Sequence, residues 1–354
     1  MKSIDEPIEV REGEQINQKN LEMFLKSHIP DLNGELIISQ FPSGFSNLTY
    51  LLKLGEREMV LRKPPYGKKA KSAHDMAREY KILNALKPVF PYAPTPLLYS
   101  EELDIIGSPF YLMERVKGII LRKKLPKELM LSKIDARKLC ENLISVFYEL
   151  HSIDYKAIGL EDFGKPEGYV RRQVDGWSKR YMDARTDDVP DFEKVMQWMQ
   201  DNMPKDCKTS SIIHNDYKFD NVVLNHEDPL HIIGVLDWEM ATIGDPLMDL
   251  GSSLAYWVNR DDPENLQMIR QMPTTLEGMM TREELIEFYL SKTGLKVESF
   301  DFYLCFGIFR LAVIAQQIYY RFYHGQTKDK RFQMLAFAVK ILEETALKLI
   351  NNDY

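Results

Sequence analysis

Residues 212–251 constrain the fold of this chain more than any other stretch. The apolar run 211–213 predicts a short strand that ends at His214, and residues 222–224 predict a second strand. Residues 231–236 predict a third, which ends on Asp237. Two acidic loops therefore lie at the edges of small β-structures. Between them these loops present Asp216, Asn221 and Asp237.

These three side chains are the bases and oxygen ligands that phosphoryl transfer from ATP requires. One carboxylate must orient the acceptor hydroxyl and take its proton, while a second carboxylate and an amide oxygen hold Mg²⁺, a hard cation. Loop Asp and Asn residues also favour turns for their own sake, so one such pair would indicate little. Three of them, in this order between strands, predict Asp216 as the catalytic base and Asn221 and Asp237 as metal ligands.

The spacing also carries a resemblance. His214-x-Asp216-x4-Asn221 matches the protein-kinase catalytic loop H-R-D-x-x-x-x-N. The residue after Asp237 is Trp rather than Phe, and this departure, with the later Gly-Asp-Pro-x-x-Asp-Leu-Gly at 244–251, matches aminoglycoside and choline kinases. From about residue 41 to the last helix the chain resembles the aminoglycoside phosphotransferase family. More narrowly, it is similar to the kinase-like N-terminal domain of acyl-CoA dehydrogenase family members ten and eleven.

The resemblance implies a protein-kinase-like, bilobal α+β fold. A small antiparallel β N-lobe would cover residues 1–116, and a larger, mainly helical C-lobe residues 117–354. It also implies an ATP-dependent kinase with an alcohol group as acceptor. Lys218, at the position of the kinase catalytic-loop lysine, would steady the γ-phosphate.

The first lobe would bind the nucleotide. A hairpin with a turn at Ser43 and Gly44 lies where kinases cover the ATP phosphates, although only one glycine is present. Arg62 ends a strand at the position of the kinase lysine, and an arginine there can bind phosphate with two donors. Lys63 lies on the opposite face and remains the alternative. Glu79, on a predicted helix, would position Arg62 as the glutamate of the kinase αC helix does.

The interlobe hinge is predicted at residues 113–118. Backbone groups of Met113, Glu114 and Val116 would bind the adenine edge there, so the identity of these side chains matters little.

Composition excludes several classes of function. The net charge of −7 argues against general nucleic-acid binding. The N-terminus is acidic and lacks the apolar region of a signal peptide, and no uncharged apolar stretch reaches the length of about 18 residues that a membrane span needs. Three cysteines without CxxC spacing indicate reduced structural thiols. We therefore expect a cytoplasmic protein without membrane partners.

The acceptor is predicted to be a small molecule with a hydroxyl group. Basic residues of two predicted helices are candidates for binding it, and they favour an anionic or hydroxyacyl-CoA-like compound over a cationic aminoglycoside. These candidates are Arg172, Arg310 and Arg321. The alternatives are an aminoglycoside antibiotic phosphotransferase and a non-catalytic, nucleotide-binding regulatory protein. The sequence leaves open the acceptor, the preference for ATP or GTP, and the oligomeric state.

Overall fold

The computed structural model describes residues 6–42, 47–65, 75–205 and 209–352. Its strands are β1 Leu36–Gln40, β2 Leu48–Leu54, β3 Arg57–Lys63, β4 Pro96–Ser100, β5 Phe110–Glu114, β6 Ile119–Ile120, β7 Ser211–Ile213, β8 Val222–Leu224, β9 Ile232–Val235 and β10 Thr242–Gly244. Its helices are α1 Gln18–His28, α2 Met76–Leu86, α3 Leu103–Ile106, α4 Lys133–His151, α5 Tyr169–Ala184, α6 Glu193–Asp201, α7 Pro246–Leu254, α8 Glu264–Met268, α9 Arg282–Thr293, α10 Asp301–Tyr323 and α11 Leu335–Asn351. The α+β class is as predicted.

The chain forms two compact units. The first comprises Met1–Ile120 and Val222–Ala241, and the second Leu121–Asn221 and Thr242–Tyr354. The division predicted at residue 116 assigned β6, β8 and β9 to the second part. They belong to the first unit, where they form one antiparallel sheet in the order β6-β8-β9.

A five-stranded antiparallel sheet, in the order β1-β2-β3-β5-β4, dominates the first unit. Its apolar face packs with α1 and α3 around buried leucines and the Tyr50 ring. The polar residue Asn17 starts α1, because its side chain accepts the Asn20 N–H at 3.1 Å. β3 is central and its last five residues are buried, so both Arg62 and Lys63 are enclosed by protein.

The second unit is mainly helical. α10 is its core and contacts α5, α6, α7 and α11, while α4 packs on α9 and β7. By length and apolar composition alone, α10 could cross a membrane, although Arg310 interrupts its run of uncharged residues. Because 78% of its most apolar window is buried inside the protein, it matches a core helix. Cys140 on α4 and Cys305 on α10 are buried free thiols.

Glycines bring α7 and α10 into close contact. A Cβ atom on Gly251 would lie 2.1 Å from the carbonyl oxygen of Tyr303, and one on Gly307 would lie 2.1 Å from that of Gly251. No side chain fits at either position, which holds the two helices in a fixed register.

Candidate active site

Strand β3 places Arg62 and Lys63 on opposite faces of the sheet. Arg62 is paired in register with Tyr111 of β5 and Thr49 of β2. The Nζ atom of Lys63 is 3.4 Å from the carbonyl oxygen of Ile106, on the α3 side of the sheet. The side chain of Arg62 instead extends towards α2 and the segment after β9. The structure therefore places Arg62, not Lys63, among the acidic residues predicted for the nucleotide site.

Three carboxylates surround the Arg62 guanidinium. Its Nη1 atom is 3.3 Å from Glu79 Oε2, and its Nη2 atom is 2.9 Å from Asp237 Oδ1 and 3.8 Å from Glu239 Oε2. Burial alone would lower the pKa of Arg62, but Glu79 and Asp237 hold it well above its usual value. Burial raises the pKa of Glu79, against the opposing effect of Arg62. The predicted pairing of Arg62 with Glu79 is present.

Two neutral side chains complete this cluster. Asn47 Nδ2 donates to Glu79 Oε1 at 2.9 Å and to Glu239 Oε2 at 2.8 Å, and the Tyr111 hydroxyl donates to Glu79 Oε2 at 2.8 Å. Sequence reasoning missed Asn47, Tyr111 and Glu239. Only Glu239 had a usable signal, since it lies two residues after Asp237.

The cluster suits a hard cation chemically. Carboxylate oxygens are the ligands that Mg²⁺ prefers, and Asp237 is the most exposed of the three carboxylates, with 34% of its side chain accessible. No group of three or more His, Cys, Asp and Glu side chains is arranged as a metal site within the described residues. That absence is compatible with magnesium, because Mg²⁺ commonly takes one or two protein carboxylates and fills its other positions with water and phosphate oxygens.

In the second unit, Asp249 fixes the backbone of the loop after β7. Its Oδ2 atom accepts the His214 N–H at 2.6 Å and its Oδ1 atom accepts the Asn215 N–H at 2.7 Å. Asn215 has a φ of +64°, in the left-handed region that asparagine tolerates better than most residues. His151 Nε2 is 3.2 Å from Asp249 Oδ2, so the buried His151 supports this carboxylate from the end of α4. Asp245 likewise accepts a backbone N–H, that of Leu247, at 2.8 Å.

This loop gathers Asp216, Lys218 and Asn221. Asp216 Oδ2 accepts hydrogen bonds from Lys218 Nζ at 2.5 Å and from Asn221 Nδ2 at 2.8 Å. Asn221 Nδ2 also donates to the Asp216 carbonyl at 2.8 Å, which directs the amide nitrogen inward and makes Oδ1 the atom suited to a metal. The Asp216 carboxylate is thus oriented by two donors and remains partly accessible, at 23% of its side chain.

Lys218 lies in a mixed environment. Its Nζ atom is 3.8 Å from Asp220 Oδ1 and 4.6 Å from the centre of the Tyr256 ring. Burial alone would lower the pKa of Lys218, but Tyr256, Asp216 and Asp220 raise it above its usual value, so the ammonium form persists. Tyr256, like Asp220, was not among the predicted residues.

The basic candidates lie apart from one another. The guanidinium of Arg172 donates to the backbone carbonyls of Lys165 and Glu167, so its donors are used locally. Arg310 is 4% exposed and its guanidinium lies over the Trp177 ring, at 5.1 Å from the centroid. Arg321 is exposed. It lies eleven residues beyond Arg310 on α10, a separation of about 16 Å. One small acceptor cannot engage all three at once.

The remaining residues predicted to bind the nucleotide lie in the turn at 43–44 and in the segment 113–116. Ser43 and Gly44 lie outside the described residues. Met113 and Glu114 end β5, and the Glu114 N–H donates to the Thr95 carbonyl at 2.9 Å. Val116 packs close to Gly234. If this segment binds adenine, it must use backbone groups other than the Glu114 N–H.

Comparison with known sequences decides the family. A sequence model of the phosphotransferase enzyme family matches residues 37–284, which is well over half of the chain. The chain belongs to this family. It is therefore a phosphotransferase, and the predicted resemblance is confirmed.

The relatives of this phosphotransferase include longer proteins. It is 35% identical over 340 residues to mouse acyl-CoA dehydrogenase family member 10, a match that covers 95% of this chain and 31% of the relative. It is 33% identical over 351 residues to human acyl-CoA dehydrogenase family member 11, covering 96% of this chain and 44% of the relative. The phosphotransferase thus spans less than half the length of the curated relatives it matches.

Solved structures support the kinase-like fold. A Ralstonia eutropha protein provisionally called an aminoglycoside phosphotransferase superposes with a TM-score of 0.80 at 28% identity, covering 96% of this chain and 99% of that one. Spectinomycin phosphotransferase, solved with ADP and spectinomycin, superposes with a TM-score of 0.58 at 13% identity, covering 95% and 98%. At that identity the second likeness shows the fold alone.

Proposed function

We propose that this phosphotransferase transfers the γ-phosphoryl group of ATP, with Mg²⁺, to a hydroxyl group of a small anionic metabolite. The observation that carries the proposal is the Asp216 carboxylate, held by Lys218 at 2.5 Å and Asn221 at 2.8 Å on a loop whose backbone Asp249 fixes. A carboxylate positioned this way is what a kinase needs to receive a proton from an alcohol.

In the proposed reaction, the acceptor hydroxyl donates its proton to Asp216. The hydroxyl oxygen forms a bond to the γ-phosphorus, and the bond from that phosphorus to the β–γ bridging oxygen breaks, releasing ADP. The Lys218 ammonium, 2.5 Å from Asp216 Oδ2, orients that carboxylate and would offset negative charge on the transferred group.

The acidic cluster around Arg62 would serve the nucleotide. The Arg62 guanidinium, which pairs with Glu79, Asp237 and Glu239, would bind phosphate oxygens. In this unit Asp237 would supply a carboxylate ligand to Mg²⁺, and the sequence motif assigns Asn221 Oδ1 as a further ligand. The ion would neutralise phosphate charge when bound.

Two considerations support an anionic acceptor of the hydroxyacyl-CoA kind. The relatives that match over nearly all of this chain are named as acyl-CoA dehydrogenase family members. The buried Arg310, on the core helix of the same unit as Asp216, favours a negative group and would repel a polycationic aminoglycoside. A purely regulatory nucleotide binder would have no use for an oriented base such as Asp216.

Two measurements with matched variants test the proposal. MgATP binding is followed by calorimetry, and ADP release is screened against hydroxyacyl-CoA esters, hydroxy acids, choline and kanamycin. Wild-type protein should bind MgATP and release ADP with an anionic acceptor, whereas Asp216→Asn should bind MgATP but give no turnover. MgATP binding without turnover on any acceptor would favour the regulatory alternative.

A further inference from the structure

Arg310 is a buried cation to which the described part of the chain supplies no counter-charge. It is 4% exposed. Within the described residues its side chain makes no ion pair and no hydrogen bond. Its Cζ atom lies 5.1 Å from the centroid of the Trp177 ring. A cation–π contact stabilises a guanidinium by less than its removal from water costs, so a group of this kind normally has an anion beside it.

A second guanidinium lies over the same ring. The Cζ atom of Arg180 is 4.6 Å from the Trp177 centroid. Among the described residues, Arg180 likewise lacks a carboxylate partner. Partial burial lowers the pKa of Arg180, and the charge of Arg310 lowers it further, which places the two like charges within electrostatic reach of each other. Two arginines in contact with one indole ring concentrate positive charge in this region.

This point lies beside the catalytic loop. The Tyr256 hydroxyl interacts electrostatically with both Asp216 and Arg310. The Tyr169 hydroxyl lies 3.5 Å from Asn215 Oδ1 and also interacts with Arg310. Two tyrosine hydroxyls, one of them in contact with Asn215, therefore lie within electrostatic reach of Arg310.

Helical periodicity extends the site into a groove. Trp177, Arg180 and Ala184 share one face of α5, and Arg310 and Gln317 share one face of α10. The two helices pack together, and a cavity of about 250 Å³ is lined by Arg180, Asp183, Ala184, Gln317 and Tyr320. The Asp183 carboxylate in this lining is paired with Lys179 at 3.2 Å. The volume suits part of a ligand rather than a whole one.

We propose that Arg310 and Arg180, which both contact the Trp177 ring, form an anion subsite that holds a carboxylate or phosphate group of the acceptor. This inference rests on the proposed function for the position of the reacting hydroxyl. Arg310 sets specificity by requiring a negative group at a fixed distance from Asp216, and the groove between α5 and α10 takes the rest of the molecule.

The test measures anion binding without ATP or turnover. Inorganic phosphate and malonate, as separate probes, are titrated into the full chain at constant ionic strength while tryptophan fluorescence is recorded, with glycerol and choline as neutral and cationic controls. We expect a saturable change with at least one anion and none with the controls. Trp177→Phe should remove the signal.

Matched substitutions assign the subsite. Arg310→Gln should weaken anion binding about tenfold or more, as expected for the loss of a charge-assisted contact. Arg185→Gln, an exposed arginine just beyond α5, should leave it unchanged. Because Arg310 is buried, Arg310→Gln could impair folding. Arg180 is exposed, so Arg180→Gln tests the loss of anion binding without that risk.

The outcomes separate this inference from the proposed function. A saturable anion response that Arg310→Gln or Arg180→Gln weakens supports the subsite even if no acceptor turns over. No anion response in the wild type, or equal weakening by Arg185→Gln, overturns the subsite, even if a neutral alcohol is phosphorylated. Malonate and phosphate titrations, compared directly, show whether the group bound is a carboxylate or a phosphate.

Discussion

The Nη2 atom of Arg62 lies 2.9 Å from Oδ1 of Asp237, although 175 positions separate them in the chain. The ion pair joins the central strand of the large sheet to the segment after β9, within one compact unit. It links the residue proposed to bind the ATP phosphates to the residue proposed to bind their metal ion.

Replacing Arg62 should impair ATP use more than replacing Lys63. We expect Arg62→Ala to raise the apparent KM for ATP by about tenfold or more, because contacts between a guanidinium and phosphate are charge-assisted. Lys63→Met, which retains the buried apolar stem, should change that KM little. Steady-state kinetics with varied ATP gives both values, and the reverse ranking would assign the phosphate contact to Lys63.

Asp237 should control binding of the metal complex. In calorimetry, Asp237→Ala should lose MgATP affinity, since the variant lacks a metal ligand and removes one of the carboxylates that hold Arg62. The control is Glu227→Ala, an exposed carboxylate that precedes β9. Equal MgATP affinities in the wild type and Asp237→Ala would remove the metal assignment.

Asp249 should act on the catalytic loop through the backbone. Asp249→Asn replaces one acceptor oxygen by a donor, so either the His214 or the Asn215 N–H loses its partner in a fully buried setting. The expected cost is about 1–3 kcal/mol of stability. A lower urea midpoint together with a lower kcat would support this role, and an unchanged midpoint would speak against it.

Gly251 should tolerate no side chain. Gly251→Ala places a methyl group 2.1 Å from the Tyr303 carbonyl oxygen, so α7 and α10 must separate, at a cost on the order of 1–3 kcal/mol. Gly176→Ala is the matched control, since its Cβ atom meets its nearest neighbour at 3.8 Å inside α5. The control should be stabilised by about 0.5–1 kcal/mol. Equal urea midpoints for the two variants would contradict the close packing of these helices.

The catalytic loop was predictable because its information is local. Asp216, Lys218 and Asn221 lie within six residues, so their grouping could be predicted from their spacing in the sequence. Asp237 follows the next two short strands, so chain order alone placed it. The strands and helices followed from alternation, helical periodicity and caps such as Asn17.

The rest of the site depends on contacts between residues that are far apart in the chain, and the sequence pattern does not reveal such contacts. Asn47 donates to Glu239 across 192 positions, and Arg310 reaches Trp177 across the α5–α10 interface. Arg172 appeared in the sequence as one of several basic candidates. Only the structure shows that nearby carbonyls use its donors.

The most direct test of the central claim is a turnover assay with wild-type protein and Asp216→Asn. ADP release and the phosphorylated product are measured together against matched panels of hydroxyacyl-CoA compounds and kanamycin-type aminoglycosides. We predict saturable phosphorylation of an anionic acceptor by the wild type, and a rate lower by about 10²–10⁴ in Asp216→Asn with MgATP binding retained. Unchanged turnover in Asp216→Asn, or efficient phosphorylation of kanamycin with none of the acyl-CoA panel, would contradict the account.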